Sequence, residues 1–274
     1  MLRKFIKMEG AGNDYIYFDC LNESISEPEK LAVKLSDRHK GIGGDGIVLI
    51  CPSKIADAKM RMFNADGSEG KMCGNAIRCV GKYLYDNGHV QKEDLSIETL
   101  SGIKLLKLFP KEGKVRVDMG KYSLANVDIP VNITADRVVD RSVFVAGKTH
   151  RITCVSMGNP HCVVFEDPDA LDIQKLGPLF ENDPIFPDRV NTEFIKKIGE
   201  NTLKMRVWER GSGETLACGT GACAAAVAAV ETGLFERNTD ILVKLRGGDL
   251  IINVGDTIYM TGEAKTVFTG EVEI

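Results

Sequence analysis

The feature of this chain that most constrains its fold is a long stretch that it carries twice. Residues 59–88 read KMRMFNADGSEGKMCGNAIRCVGKYLYDNG, and residues 204–233 read KMRVWERGSGETLACGTGACAAAVAAVETG. The copies match without a gap, so Cys73 of the first corresponds to Cys218 of the second, 145 positions later (218 − 73). A self-match this long indicates duplicated halves, and its period is too long for a solenoid. We therefore expect two similar lobes, each presenting one cysteine at the start of a helix.

The size of the chain agrees with two lobes. With 274 residues, of which 43% are hydrophobic, the chain can bury a large core and form two units of ordinary domain size. We expect an α+β fold of two pseudo-symmetric lobes, each a curled mixed sheet around a central helix, with the active site in the cleft between them. The predicted boundaries are 1–118 for the N-terminal lobe, to which 263–274 return, and 119–262 for the C-terminal lobe.

The central helices are predicted directly after the two cysteines. In the first copy, an apolar stripe favours a helix over residues 76–87. In the second copy, residues 219–229 are small and apolar on every face. A helix of that kind is typically surrounded by protein on all sides.

The charge pattern limits the class of partner. The net charge is −4, and no Lys/Arg block is longer than two residues, which gives no electrostatic reason to bind nucleic acid or an anionic membrane. The first residues lack the apolar core of a secretory signal, and no window approaches 18 uncharged apolar residues. We therefore predict a cytoplasmic protein whose partner is a small molecule.

The eight cysteines of the chain favour thiols over metal ligands or disulfides. There is no CxxC pair, and the spacings from Cys73 to Cys79 and from Cys218 to Cys223 place neither pair on one helix face. We expect no metal and reduced thiols. Six cysteines are interpreted as buried small hydrophobic residues, namely Cys20, Cys51, Cys79, Cys154, Cys162 and Cys223.

Cys73 and Cys218 are different because the repeat gives them equivalent positions. A thiol at a helix N-terminus is expected to have a lowered pKa, and the free N–H groups of the first turn can bind a carboxylate. Two thiols facing one carbon from opposite sides could invert it, since one removes a proton while the other delivers one. No organic cofactor would be required for this reaction.

The two copies differ at Glu209 and Arg210, which replace Asn64 and Ala65. A surface ion pair is one interpretation. The other is a glutamate for a substrate ammonium and an arginine for a second carboxylate, as a dicarboxylic amino acid would require. His161 is either a loop histidine or the proton partner of a thiol, and Asn13 is interpreted first as a turn residue.

Seven motifs together resemble the diaminopimelate epimerase family over nearly the whole chain. They are GAGNDY (10–15), GIGGDG (41–46), FNADGSEGKMCGNAIRC (63–79), MGNPHCV (157–163), RVNTEF (189–194), VWERGSGETLACGTGA (207–222) and the terminal VFTGEV. The family interconverts LL- and meso-diaminopimelate in lysine and peptidoglycan precursor synthesis without a cofactor. Its members are usually homodimers of two pseudo-symmetric lobes.

The resemblance also implies roles for individual residues. Cys73 and Cys218 would be the acid–base pair, with His161 and Glu209 assisting proton transfer. The reacting end of the substrate would be held by Gly74, Asn75, Gly219 and Thr220 with Glu209. The distal end would be held by Asn13, Asn64, Asn159, Asn191 and Arg210.

The chain departs from the family pattern at two positions, since Gly46 stands where some members carry Gln and Ala76 where Gly is common. Three rival interpretations remain. A proline racemase-type enzyme would use the same two cysteines, but it fits the polar residues around Glu209 less well. The phenazine-biosynthesis relatives share the lobes but lack the cysteine pair. A non-catalytic amino acid-binding protein or a thiol redox protein is the third.

Overall fold

A computed structural model describes residues 2–274 of the chain. The chain divides into two compact units by its internal contacts, one containing the chain up to Asp118 together with Thr261–Ile274 and the other Met119–Met260. Each unit contains one copy of the duplicated stretch. Among residues 2–274, no helix combines the length and apolar character that crossing a bilayer would need.

The first unit is mainly β-sheet with two α-helices. Its elements are β1 (Leu2–Gly10), β2 (Asn13–Asp19), α1 (Pro28–Ser36), β3 (Gly46–Cys51), β4 (Ala58–Asn64), β5 (Glu69–Gly70), α2 (Gly74–Asp86), β6 (Asp94–Thr99), β7 (Gly102–Phe109) and β8 (Lys114–Gly120). The strands pair in the order β1-β2-β3-β4-β6-β7-β8. The β2/β3 and β4/β6 pairs are parallel, and the other pairs in this order are antiparallel.

The second unit repeats this arrangement. Its elements are β9 (Arg141–Val145), β10 (Lys148–Ser156), β11 (Pro160–Val164), α3 (Ile173–Glu181), β12 (Asn191–Gly199), β13 (Thr202–Glu209), β14 (Gly213–Thr215), α4 (Gly219–Glu231), β15 (Asp240–Lys244), β16 (Asp249–Val254) and β17 (Ile258–Glu263). The last strand of the chain, β18 (Lys265–Glu273), belongs to the first unit, where it pairs antiparallel with β1. Short 3₁₀ turns lie at Pro110–Glu112, Asn126–Asp128 and Pro168–Ala170.

The strand order shows the duplication at the level of topology. In the second unit, β10, β11, β12, β13, β15 and β16 pair in that order, and again the second and fourth pairs are parallel. The same alternation occurs from β1 to β7 in the first unit. The predicted α+β fold with two similar lobes is therefore confirmed.

Helices α2 and α4 each pack against the strands of their own unit. Helix α2 contacts β1, β2, β6 and β7, while α4 contacts β10 to β13, β15 and β16. Residues Ala222 to Ala229 of α4 have no exposed surface, because their small side chains let strands approach from every side. Helix α2 begins at Gly74, two residues earlier than the predicted 76–87.

The tight packing around α4 predicts that enlarging one of its alanines destabilises the fold. In Ala225→Leu, the extra side-chain atoms have no space, and the free energy of unfolding should fall by roughly 1–3 kcal/mol. Urea denaturation measures this change. The matched control is Ala170→Leu, because Ala170 is exposed and this substitution should change the stability little. Equal stability of the two variants would show that the packing around α4 can accommodate a larger side chain, which would contradict the prediction.

Candidate active site

Cys73 is the N-terminal cap of helix α2. Its backbone is extended (φ −129°, ψ 120°), and its sulfur accepts a hydrogen bond from the N–H of Ala76 at 3.5 Å. The thiol donates to Oδ1 of Asn13 at 3.2 Å. The half-buried sulfur therefore lies at the positive end of the helix, where the first-turn N–H groups have no intrahelical acceptor.

Asn13 is positioned by a turn and by a partly exposed carboxylate. Ala11 and Gly12 both have positive φ (55° and 82°), as a two-residue type I′ hairpin turn requires, so Asn13 becomes the first residue of β2. Its Nδ2 donates to Oδ2 of Asp45 at 2.5 Å. With the amide nitrogen fixed on Asp45, the amide oxygen faces the Cys73 thiol.

Asp45 is a residue that the sequence analysis missed. Its second oxygen accepts from Arg38 at 3.0 Å, and burial together with the charge of Asp14 raises the pKa of the Asp45 carboxyl. The signal was present in the sequence, because Asp45 is the one charged residue within the glycine turn GIGGDG. Its partner could not be identified before the β2/β3 pairing was known.

The other predicted residues of the first unit lie at the end of β4 and at the start of α2. Asn64 ends β4, and its Nδ2 donates to Oγ of Ser68 at 3.0 Å. Asn75 is 2% exposed, and its Oδ1 accepts from Nη1 of the buried Arg78 at 2.9 Å. The side chain of Asn75 is thus used inside the unit, and the N–H groups of Gly74 and Asn75 lie in the first turn of α2, where they have no intrahelical acceptor.

Cys218 has the equivalent position in the second unit. It caps α4 with extended backbone (φ −121°, ψ 115°), and its sulfur accepts from the N–H of Gly221 at 3.4 Å. The hydroxyl of Thr220 lies 3.5 Å from the same sulfur. The predicted position of both cysteines at helix starts is therefore confirmed.

The predicted lowering of the thiol pKa is wrong for Cys218. Burial raises the pKa of this thiol well above its ordinary value, and the negative charges of Glu209 and Glu193 raise it further. The Thr220 hydroxyl and the N–H of Gly221 act in the opposite direction but less strongly. Desolvation and two carboxylates therefore outweigh the helix terminus.

Glu209 is the carboxyl group in direct contact with this thiol. Burial raises the pKa of Glu209, while hydrogen bonds from Thr215 and from the Cys218 thiol lower it. The hydroxyl of Thr215 donates to Oε1, which leaves the carboxylate oriented by one neutral donor and the thiol. A thiol and a carboxyl whose pKa values are both raised can share and exchange a proton.

His161 belongs to a chain of hydrogen-bonded polar groups. Its Nδ1 lies 2.7 Å from Oε1 of Glu193, and both side chains have no exposed surface. Its Nε2 lies 3.1 Å from Oδ1 of Asn159, so both ring nitrogens face acceptor oxygens. Nδ2 of Asn159 in turn lies 3.4 Å from Oγ1 of Thr220, the residue next to Gly219 and two beyond Cys218. His161 thus connects to the cysteine through Asn159 and Thr220.

Glu193 is the second residue that the sequence analysis missed, although the motif RVNTEF contains it. A carboxylate within the buried strand segment Asn191–Ile195 was the available signal, since charged groups are buried only when they are paired. A Cβ atom on Gly221 would lie 2.7 Å from Oε1 of Glu193. The glycine in the first turn of α4 therefore makes room for this carboxylate.

Asn191 and Arg210 are connected through the backbone. The Nδ2 of Asn191 donates to the carbonyl of Pro160 at 2.8 Å, and its Oδ1 accepts from the N–H of Arg210 at 3.0 Å. The Arg210 guanidinium donates to the carbonyl of Asp188 at 2.9 Å. Asn191 thus joins the strand carrying His161 to the turn carrying Arg210, and at most one proton of its amide is left for a ligand.

The departure at Gly46 has a steric basis. A Cβ atom there would lie 2.0 Å from the carbonyl oxygen of Phe63 and 2.8 Å from the Tyr15 ring. In this chain the β3/β4 pairing leaves no space for a side chain at position 46. A longer side chain at position 46, and any contact it would make, is therefore excluded here.

The raised pKa of Cys218 predicts slow alkylation. Iodoacetamide should modify Cys218 slowly near neutral pH and faster as the pH rises into the alkaline range, because only the thiolate reacts and its fraction grows with pH. Glu209→Gln removes a negative charge next to the sulfur, so the rate at mildly alkaline pH should increase by roughly threefold or more. Peptide-resolved mass spectrometry measures the rate, with the exposed Glu236 changed to Gln as the control. Equal rates in wild type and Glu209→Gln would contradict the electrostatic explanation.

Comparisons with known proteins place this chain among relatives of nearly the same length. The diaminopimelate epimerase family model matches residues 5–125 and 153–267. The diaminopimelate epimerase of Acetivibrio thermocellus is 54% identical, covering 99% of both chains. That of Methanococcus maripaludis strain C5 is 52% identical, covering 99% of this chain and 100% of the relative.

Solved structures of more distant proteins share the fold. A hydroxyproline epimerase from Agrobacterium vitis superposes with a TM-score of 0.67 at 15% identity, over 99% of this chain and 92% of its own. A Bacillus anthracis phenazine biosynthesis protein of the PhzF family gives 0.68 at 18% identity over 100% of both chains. At these identities the likeness concerns the fold alone, whereas the matches near 50% identity also define the family. This chain therefore belongs to the diaminopimelate epimerase family, and it is an isomerase that epimerises an amino acid.

Proposed function

We propose that this chain interconverts LL- and meso-diaminopimelate by moving protons between one α-carbon and the thiols of Cys73 and Cys218. The observation that carries the proposal is the matched capping position of these two cysteines, one on the central helix of each unit. The membership of the family supports the substrate and the role in lysine biosynthesis.

The reaction needs one base and one acid, and it returns them exchanged. One cysteine, as thiolate, removes the α-proton and becomes a thiol. The other, as thiol, donates its proton to the opposite face and becomes a thiolate, so no net charge is gained or lost. The proposal requires both sulfurs to reach the same α-carbon from opposite faces, and the reverse reaction uses the same pair with exchanged roles.

The environment of Cys218 supports its role as the proton donor at rest. Its raised pKa keeps it protonated near neutral pH, while Cys73 is only half-buried and caps its helix beside the neutral amide of Asn13. When Cys218 has given up its proton, Glu209 in its protonated form can return one; the resting state is restored when the Cys73 thiol releases its proton to solvent and Glu209 takes one up from solvent. The raised pKa of Glu209 makes that protonated form accessible.

His161 acts on the same site through a chain of hydrogen bonds. Asn159 lies between its ring and Thr220, whose hydroxyl is beside the Cys218 sulfur. Glu193, which contacts the other ring nitrogen of His161, acts on the Cys218 thiol through its charge. His161 therefore assists proton transfer as a positioning and electrostatic group.

The helix N-termini would hold the α-carboxylate of the substrate. Removing the α-proton places negative charge on this carboxylate, and the N–H groups of Gly74, Asn75, Gly219 and Thr220 are fixed donors at the ends of α2 and α4. Loss of one preorganised donor of this kind costs about 3 kcal/mol in other enzymes. Stabilisation on this scale replaces the electron sink of pyridoxal phosphate, and we propose a cofactor-independent reaction.

The distal end of the substrate is a second amino acid group, with its own carboxylate and ammonium. Arg210 can form a two-point contact with a carboxylate, and amide groups can hold both charges. We assign the distal end to Asn13, Asn64, Asn159, Asn191 and Arg210. We assign Glu209 to bind the ammonium group at the reacting end of the substrate.

The decisive experiment follows exchange of the α-proton with solvent. Wild-type protein incubated with LL-diaminopimelate in deuterated water should form meso product with deuterium at one α-carbon. Cys73→Ala and Cys218→Ala should each lower the rate of epimerisation by at least about 100-fold, the lower range for loss of an acid–base group. Mass spectrometry and chiral chromatography measure the label and the product.

The matched controls are Cys79→Ala and Cys223→Ala. Both residues are buried further along the same two helices, and their substitution should leave the rate within a few-fold of wild type. Retained epimerisation in either capping variant would reject the two-thiol mechanism. Equal turnover of proline by the wild type would favour the proline racemase-type alternative instead.

We also propose that the protein is cytoplasmic and forms a homodimer, as the family resemblance implies. Light scattering coupled to size-exclusion chromatography should give the mass of two chains at micromolar concentration. The mass of one chain under these conditions would contradict the dimer without affecting the proposed reaction.

A further inference from the structure

Two cysteines outside the proposed site are brought together by the first unit. Strands β2 and β3 are parallel, with Asp19 opposite Ile50, and the N–H of Cys20 donates to the carbonyl of Ile50 at 2.8 Å. Cys20 is therefore the next residue in register with Cys51. The two thiols interact as neighbours, which raises the pKa of Cys20 and lowers that of Cys51.

The two sulfurs differ in their access to solvent. Cys20 is 4% exposed and belongs to the apolar cluster between α1 and the sheet, while Cys51 packs at the margin of that cluster and is only partly buried. A small oxidant can thus reach Cys51 first. Cys20 is too buried to meet the oxidant readily, but it is next to a group formed on Cys51.

The charges around Cys51 favour its thiolate. The hydrogen bond from Cys20 lowers the pKa of Cys51, and burial opposes it. Arg61 and Lys59, on the neighbouring strand β4, lower the pKa further, while Glu69 acts against them. A partly exposed thiol of this kind, in contact with a second cysteine, has the features of redox-reactive cysteines.

We propose that Cys51 is an oxidation site and that Cys20 resolves its oxidised form as an internal disulfide. Neighbouring strands are about 4.8 Å apart, which falls within the Cα separations that a disulfide tolerates. The bond therefore requires side-chain rotation rather than movement of the backbone. It would join the ends of β2 and β3, away from the helix-capping cysteines.

With hydrogen peroxide as oxidant the chemistry is balanced. The Cys51 thiolate attacks one peroxide oxygen, the O–O bond breaks, and the products are a Cys51 sulfenic acid and hydroxide. The Cys20 thiol then gives up its proton as its sulfur displaces the sulfenic oxygen, which leaves as water. Each protein disulfide thus consumes one peroxide and two thiols.

A second pair of cysteines in the chain provides an internal comparison. Cys154 and Cys162 are directly opposite each other on the antiparallel strands β10 and β11. Both have no exposed surface, and burial raises the pKa of Cys162. Proximity alone would oxidise both pairs, whereas the proposal requires access and predicts that Cys154 and Cys162 stay reduced.

The test is peroxide treatment of the full-length protein, followed by alkylation and peptide mass mapping without reductant. We expect a Cys20–Cys51 linked peptide in the wild type, formed at least tenfold faster than any Cys154–Cys162 link and reversed by dithiothreitol. Using Cys73→Ser as the background removes a helix-capping thiol from the reaction. The readout is covalent and independent of epimerase activity.

Two variants separate the steps. Cys20→Ser should stop at the sulfenic acid, which dimedone traps on Cys51, and Cys51→Ser should leave Cys20 unmodified. Circular dichroism verifies that both variants fold. If either does not, the wild-type peptide map still tests whether the Cys20–Cys51 link forms. Absence of the Cys20–Cys51 link after Cys51 has been oxidised, or oxidation of Cys51 no faster than of Cys154 and Cys162, would overturn the proposal.

Discussion

The capping of a helix by a cysteine is the interaction on which the rest of the site depends. Oxygen-bearing side chains are preferred at this position because they accept the free N–H groups more strongly than sulfur does. Here Cys73 and Cys218 cap α2 and α4, so the chain gives up capping strength at the same position in both units. What it gains is a thiol at a fixed place, next to N–H groups that can bind an anion.

The electrostatics around Cys218 show that a helix terminus does not by itself determine whether a thiol is protonated. A helix terminus contributes about 1 kcal/mol, which is less than the desolvation of a buried thiolate beside two carboxylates. Cys218 is therefore held as a thiol by burial, Glu209 and Glu193. The residues around Cys218 thus decide its protonation, although its backbone position repeats that of Cys73.

For two carboxylates near the site, the residue was visible in the sequence but its partner was not. Asp45 was visible as a charge within a glycine turn, and Glu193 as a charge within an apolar strand. Their roles depend on two parallel strand pairs. For Asp45 the pair is β2/β3. For Glu193 it is β11/β12, where Asn191 lies opposite His161. A register between strands that are distant in sequence cannot be derived from local patterns, so neither partner could be assigned in advance. The contact between Cys20 and Cys51 was missed for the same reason.

The sequence by itself determined the duplication, the α+β architecture, the two helix-capping cysteines and the family. These follow from a gapless repeat, from apolar periodicity and from local helix-start signals, each contained within a short stretch of chain. Only the tertiary structure decided that the Cys218 thiol has a raised pKa, that Asp45 orients Asn13, and that His161 reaches the cysteine through Asn159. Burial and charge–charge distances are sums over residues from several strands, and they take their values only when the chain has folded.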